Sequence, residues 1–567
     1  MQNYKRLVVV LSVFLLMSMV CISIPWHSGY VFSGDDLRFH INRIKEISMG
    51  GGRYPLVNFN TFNQVGYDIN TFYPVITLYP LAAIFKLVHN QVNAFYLCQV
   101  ICVFFTQITC FVSGKLLKYS SLNSILLAFL YTFSGYMLFV NWYAFELGEV
   151  LSFMVLPILL VALTAEVNDR IVSKYARNNK GFLLLLSLTW VTYSHFLTTL
   201  LCIIISLAVF VFVLIKNNLD RRTLFRDVKL LIIYMLATSF FWVNFLNVYL
   251  QERIKGPERY FTTLDIQQLF ENSLSNTLLS GNFQPTKVVS IGLILMIGII
   301  IMGCHYQILT RFEKVMLNVG VISLILSTNL FSWNLINKIL PKILVFQSSF
   351  RFLILTVLFI AVGLSSFINL NKHNLVILSL IIFIFNITAM TSFTEGGKLQ
   401  PNFEVKATIN NEPQYANFKV NEHTFSNLFN GYYGETGGPA DYLTTRQIRH
   451  FNSVANHKII ADGKVVDHSQ RFITNGVDYV IKVNQQVNVD LPIYKTHYKY
   501  IIYDNNRMVN YRTSSRGTLL VTHVHRGKHH IKVRVKPTII FMLSIITSLI
   551  GMISILILKL KNINVIN

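Results

Sequence analysis

Long apolar runs separated by short, mostly basic breaks dominate this chain. The clearest are Val288–Cys304, Phe352–Ile368, Leu375–Met390 and Ile539–Leu558. A run of about 18 apolar residues crosses a bilayer as a helix, and about a dozen runs come near that length. The first, Leu7–Ile24, follows Lys5 and Arg6 and lacks a small-x-small cleavage site, so it reads as a retained anchor rather than a removed signal. Phe72–Val88 departs from the pattern. It contains Tyr73-Pro74 and Tyr79-Pro80, and reads as re-entrant, lying on the membrane, or paired with a short neighbour. Near the C-terminus the period shifts from helical to alternating. Lys464–Val466, Val477–Val483, Val487–Leu491, Tyr498–Tyr503, Leu519–Val524 and His530–Val535 read as strands, with turn signals at Asp462-Gly463, Asn475-Gly476 and Arg526-Gly527. They predict a β-sandwich of roughly 80 residues.

These patterns predict a polytopic α-helical membrane protein with an added β domain. Residues 1–390 form the multi-span part, with a first outer loop at 25–70. Residues 391–536 form a mostly-β region, entered by a composition shift at Thr394-Glu-Gly-Gly, and residues 537–567 a final transmembrane helix and short tail. Basic loops at Lys115–Lys118, Arg170–Lys180, Lys216–Lys229, Arg311–Lys314, Lys372 and Lys559–Lys561 set the orientation. If all are cytoplasmic, the N-terminus is cytoplasmic too. Residues 391–536 then face outward, with Asn141–Glu149 and Gln251–Thr286, provided Phe72–Val88 does not cross alone.

Composition agrees. Hydrophobic residues make up 53% and charged residues 13%, and mean hydropathy is +0.49. Those values exclude an ordinary soluble enzyme. The net charge of +23 is read as loop charge meeting anionic lipid, not as a nucleic-acid surface. All six cysteines lie in or beside apolar runs, and Thr391–Lys536 has none, so that region folds without disulfides. Cys98 and Cys102, one helical turn apart, read as packing residues. His523, His525, His529 and His530 invite a metal reading, but no carboxylate or cysteine accompanies them in sequence. They read rather as a solvated basic strand end.

The candidate chemistry starts just after the first span, in Ser33-Gly-Asp-Asp-Leu-Arg-Phe-His-Ile-Asn-Arg43. Asp36, His40 and Arg43 fall on one face if this stretch is helical. An acid, a titratable base and a cation at a membrane surface suggest proton transfer beside a bound anion. Ser33 followed by Asp36 also reads as a capping box. Glu146 and Glu149 could bind hydroxyls or a cation, or be solvated loop charges. Arg351 enters a span, where it either snorkels or meets a carboxylate or phosphate. His195 sits between the apolar runs Phe182–Val191 and Leu197–Ile215, where a local hydrogen-bonding role is the ordinary one. The sequence has no ATP-type Gly-x-x-x-x-Gly-Lys-Ser/Thr motif and no Asp-x-Asp in a soluble domain.

Asp36-Leu-Arg-Phe-His40 resembles the Asp-x-x-Phe-His motif of the bacterial 6-pyruvoyl-tetrahydropterin synthase-related membrane proteins. That family is grouped with the GT-C glycosyltransferases. Further resemblances follow in order: Arg53-Tyr-Pro55, Gly66-Tyr67, Phe72-Tyr-Pro74, Glu146-Leu-Gly-Glu149 leading to Leu156-Pro157, Ser194-His195, Phe241-Trp242 ending at Glu252, and Gln347-Ser-Ser-Phe-Arg351. Ala440-Asp-Tyr-Leu443 is similar to a motif of related proteins that glycosylate surface polymers of Gram-positive bacteria. Val243-Asn244, Ser348-Ser349 and Thr444 depart from the pattern.

The resemblance implies a GT-C-like helical bundle in a bacterial, Gram-positive plasma membrane. It implies transfer of a sugar from a polyprenyl-phosphate donor to an outer acceptor, which could be a cell-surface polymer, a glycolipid or a protein. Asp36 would be the general base, with Asp35 as support or substitute. Arg38, His40 and Arg43 would meet the phosphate or orient Asp36, and Glu146, Glu149, His195 and Arg351 would bind substrate. A divalent cation near Asp35, Asp36 and Glu149 is compatible with such a site. Two other readings stay open at this point: a transporter or flippase for a lipid-linked glycan, which would be expected to carry internal repeats, and a non-catalytic scaffold of envelope assembly.

Overall fold

The computed structural model describes residues 2–564 except 33, 219, 257–260, 277, 279–287, 340–344, 404–417, 431–432 and 434–437. It is mostly helical, with a sheet region toward the C-terminus. Among the described residues six helices are long and apolar enough to cross a membrane, or nine if each of three bent pairs counts as one span. The dozen apolar runs therefore do not all become straight spans. Ser121–Thr132 and Gly135–Tyr143 meet at 48°, Leu147–Phe153 and Leu156–Val167 at 45°, and Arg221–Ala237 and Ser239–Gln251 at 71°. Pro157 in the first turn of its helix gives a local reason for one break. Lys180–Thr192 and Leu293–Cys304 are helical but short.

The full-length helices show their causes in sequence. Phe196–Lys216 has 21 residues, which at 1.5 Å per residue is about the thickness of a hydrocarbon core. Asn90 and Ser120 cap the helices that follow them through side-chain oxygens, and Thr310 and Glu313 form a capping box. Lys372–Lys398 runs on through Thr394-Glu-Gly-Gly, so the composition shift there does not end the helix. Phe72–Val88 does not form a span. Its pieces are the end of a turn at Ile69–Phe72, a 3₁₀ turn at Ile76–Leu78 and the short helix Tyr79–Leu87. The break falls at Tyr73-Pro74, as the sequence suggests, while Pro80 sits in the first turn of Tyr79–Leu87, where a proline is tolerated.

The strand pattern becomes two five-stranded antiparallel sheets. One has the order Tyr511–Thr513, Thr518–Val524, Val487–Tyr494, Ile459–Ala461, Lys464–Val466. The other has the order His468–Ile473, Gly476–Val483, Gly527–Lys536, Lys499–Asp504, Arg507–Val509. Alternate side chains such as Tyr479, Ile481, Val489, Leu491, Val521, Ile531 and Val533 fill a shared core. Leu56, Val57 and Phe59 of the first loop belong to the same core. A hairpin-like pairing of Tyr30–Phe32 with Lys419–Asn421 pins the start of that loop. The first loop is therefore held from both sides by the chain's C-terminal half.

Two details of the β region differ from the sequence reading. His523 takes a left-handed backbone (φ 58°) where the register slips between Val521 and Val524, so His523 and His525 do not continue one regular strand face. His529 does have a carboxylate partner: its Nδ1 lies 2.7 Å from Asp504, and Nε2 lies 2.7 Å from the His525 carbonyl. It is a buried structural histidine. All six cysteines are unpaired, and five are buried.

Arg516 ties the sandwich to the helical turn before it. It bonds the Asp490 carboxylate at 2.8 Å, Ser453 Oγ at 3.0 Å and the Lys458 carbonyl at 2.9 Å. Substituting Arg516→Met strands the buried Asp490. A loss of about 3–5 kcal/mol is expected, readable as a lower denaturant midpoint of the purified full chain.

Candidate active site

The site begins with a close backbone approach. A Cβ on Gly34 would sit 1.2 Å from the Tyr143 carbonyl oxygen, so only glycine lets this segment lie on that helix end. The Asp36 amide then donates to the Ala144 carbonyl at 2.8 Å. The partner is itself unusual. Phe139–Tyr143 is a π-helical turn, a feature frequent at functional sites. Phe145 follows with φ 51°, which turns the chain back into the helix Leu147–Phe153.

Asp36 occupies the N-cap position of the helix Leu37–Met49 but makes no side-chain capping bond. The capping role is therefore not what its carboxylate does, and Ser33 lies outside the described residues. Removal from bulk water, with the Glu146 charge next, pushes Asp36 up to about 7, against the opposing pull of Arg351 and Arg43. Asp35 is also held well above the usual carboxylate range, by burial first and then by Asp36. The pair shares one region of negative potential and resists carrying two charges.

Across from the aspartates, Arg351 Nη1 bonds Glu146 at 2.7 Å and Glu149 at 3.3 Å, and Nη2 reaches Gln347 at 3.4 Å. Glu149 also accepts from the Tyr136 hydroxyl at 2.8 Å. Both glutamates are buried. They are not solvated loop charges, and Arg351 does not snorkel. A Cβ on Gly148 would meet the Tyr73 hydroxyl at 2.6 Å and the Ser194 carbonyl at 2.7 Å. That contact brings His195 in. Its Nδ1 lies 2.8 Å from Thr198 Oγ, and burial, with Arg351 next, pushes it down to about 3, so the ring is neutral.

His40 and Arg43 share the face that sequence spacing gives them, and Arg43 is held by the backbone. Arg43 is fully buried and donates to the backbone carbonyls of Tyr73, at 3.0 Å, and Pro74, with its guanidinium 4.2 Å from the Tyr73 ring centre. It satisfies the carbonyls that the proline break leaves open. His40 is buried beside it, held well below the ordinary imidazole value by burial and then by Arg43. Arg38 lies on the Tyr433 ring at 3.7 Å and donates to the Leu428 carbonyl at 3.4 Å.

Sequence reasoning thus finds Asp35, Asp36, Glu146, Glu149, His195 and Arg351, and the fold gathers them. It misses Tyr73, Tyr136, Gln347 and Asp441. Tyr73, Gln347 and Asp441 lie inside quoted motifs, which is the signal that could have drawn attention to them. Asp441 adds to the negative field on Asp36. Tyr136 has no local signal. It also misses Glu46, which is buried and accepts from Thr61 Oγ at 2.8 Å and Asn60 Nδ2 at 2.9 Å, fixing the loop after the Asp36 helix.

A divalent cation would find its donors at Glu146, Glu149 and His195, whose ligand atoms lie within 4.8 Å of one another. Two carboxylates and an imidazole suit a hard or borderline ion. This set differs from the Asp35, Asp36 and Glu149 grouping expected from sequence. The Arg351 guanidinium already bonds both carboxylates, so the positive charge they require is present without an ion. In comparisons with known proteins, the chain matches no family model, no curated protein and no solved structure.

Arg351→Met leaves two adjacent buried carboxylates without their cation. The expected cost is about 3–5 kcal/mol, with part regained when Glu149→Gln is added, measured as a double-mutant cycle of thermal unfolding. Gly34→Ala is expected to destabilise the loop more than Gly29→Ala, whose added Cβ meets nothing within 4 Å.

Proposed function

We propose that this protein is a membrane glycosyltransferase that moves a sugar from a polyprenyl-phosphate donor to an acceptor hydroxyl on the outer face of a bacterial plasma membrane. The observation that carries the reading is a carboxylate with no capping duty, Asp36, pushed up to about 7 and facing a buried guanidinium held by two glutamates. Glycosyl transfer needs both parts: a base for the acceptor's proton, and a cation where phosphate leaves.

The surroundings fit such a donor. Glu149, His195 and Arg351 line a narrow pocket with Leu201, Phe346 and Phe352. A lipid phosphate would find charge at one end and an apolar wall along the rest. Arg351 stabilises the phosphate as the glycosidic C–O bond breaks, and Glu146 and Glu149 fix the guanidinium before substrate arrives. Asp36 takes the acceptor proton as the new C–O bond forms. Burial, Glu146 and Asp441 keep Asp36 basic by disfavouring its ionised form, and neutral His195 offers a hydrogen bond without adding charge. No step requires a bound ion. The family resemblance of the motifs Asp36-Leu-Arg-Phe-His40 and Gln347-Ser-Ser-Phe-Arg351 supports the same reading.

A base acts only when deprotonated. Transfer from a radiolabelled polyprenyl-phosphate sugar, in membranes or nanodiscs, should therefore rise with pH through about 7 and level off above it. A rate independent of pH between 6 and 8, with the chemical step rate-limiting, would count against Asp36 as base. Arg351→Gln should lower the transfer rate about 100-fold or more.

A further inference from the structure

The two sheets of the sandwich present different outer faces. In the strand Gly527–Lys536, His529, Ile531, Val533 and Val535 are buried, so Lys528, Lys532, Arg534 and Lys536 point outward. The neighbouring strands add Lys482 and Lys499 at outward positions, and the edge strand adds Arg471. Among the described residues, Asp478 is the one acid at an outward strand position of this sheet, and Arg534 takes it at 2.6 Å. The other sheet is balanced. The charged residues at its outward strand positions are Arg512 and Asp490.

Register makes the basic face costly. Lys528 stands directly opposite Lys482, and Lys536 directly opposite Lys499. Opposed cross-strand residues hold their Cβ atoms about 5 Å apart, and like charges there are destabilising. All four lysines are exposed, and none has an ion pair among the described residues. An anion held between two ammonium groups turns that repulsion into attraction. Each pair is thus a clamp for one phosphate, whose two free oxygens can accept from both sides. The clamps lie about 27 Å apart along one strand, at 3.4 Å per residue, with Lys532 between them. A single small anion cannot reach both. A linear polymer with regularly spaced charges can.

The strand is fixed to the membrane part at one end. Lys536 is followed closely by the candidate span Ile539–Leu560. At that end Tyr498 packs on Phe541, and Asn475 accepts from the Leu56 amide at 2.7 Å. Lipid headgroups would meet Lys536 and Lys499 there. The Lys528 pair stands at the other end of the strand, well beyond a Debye length of about 8 Å.

We propose that this sheet face docks a linear phosphodiester polymer, which lies along Gly527–Lys536 with phosphates clamped by the Lys528–Lys482 and Lys536–Lys499 pairs. Such docking needs no transferase activity.

The test uses the purified full chain in nanodiscs of neutral phosphatidylcholine. Binding of a glycerol-phosphate decamer, a glycerol-phosphate dimer and a glutamate decamer is measured by calorimetry. Saturable binding of the phosphate decamer is expected, with the dimer, too short to reach both clamps, at least about tenfold weaker. Raising salt from about 50 to about 200 mM should weaken the decamer about tenfold or more. The double variant Lys482→Gln/Lys528→Gln should weaken it about tenfold without lowering the thermal midpoint, because it removes a repulsion. Arg512→Gln, on the other sheet, should leave binding unchanged. No saturable binding, equal affinity for dimer and decamer, or affinity unaffected by the double variant overturns the proposal. Tighter binding of the glutamate decamer overturns it too, in favour of a carboxylate polymer. A second arm reads lysine acetylation by mass spectrometry. The phosphate decamer should protect Lys482 and Lys528 in the neutral nanodiscs. Protection of Lys528 in phosphatidylglycerol nanodiscs with no polymer added would assign the face to the membrane surface instead.

Discussion

The structure turns on one buried charge. Arg351 lies at the start of an apolar helix, where a bare guanidinium would be very costly, and Glu146 and Glu149 make its position tolerable. That pairing dictates much of what surrounds it. The two carboxylates converge on one nitrogen from the N-cap and first turn of the helix Leu147–Phe153, just after a break in the chain's helical path. The π turn at Phe139–Tyr143 and the left-handed Phe145 supply the break. Burial first and then the Glu146 charge move the nearby Asp36 toward neutrality, against the pull of Arg351.

The same constraint shapes the backbone around the site. Gly34 lets the aspartate segment touch the Tyr143 carbonyl, and Gly148 lets the glutamate helix press on Tyr73 and Ser194. Arg43 then closes the account of open carbonyls at Tyr73 and Pro74. These are backbone satisfactions, made before any substrate arrives. They leave the charged side chains preorganised, which is where electrostatic stabilisation of a transition state has its advantage. The β-sandwich adds rigidity from outside by sharing Leu56, Val57 and Phe59 with the first loop.

Local signals were readable along the chain. Alternation in Val477–Val483 and Leu519–Val524 foretells strands, because one face of each must reach a core. Proline at 74 foretells a broken segment. Asp36, Glu146 and Arg351 stand out because charge beside apolar runs is rare. What each cation does was not legible. Arg38, Arg43 and Arg351 look alike in sequence, yet one lies on an aromatic ring, one on backbone carbonyls and one on carboxylates. Partner choice is tertiary. For the same reason neither Asp68 with His497 nor His529 with Asp504 could be read from spacing. The angles at which the three bent pairs meet are not visible in hydropathy, and with them the described residues hold six to nine candidate spans.

The most direct measurement compares wild type and Asp36→Asn in single-turnover transfer from a polyprenyl-phosphate sugar, with donor binding measured in parallel and equal folding confirmed. Asparagine keeps the shape of the side chain but cannot take the proton. The account predicts unchanged donor affinity and a transfer rate lower by about 10²–10⁴-fold. Transfer at the wild-type rate by Asp36→Asn would contradict it.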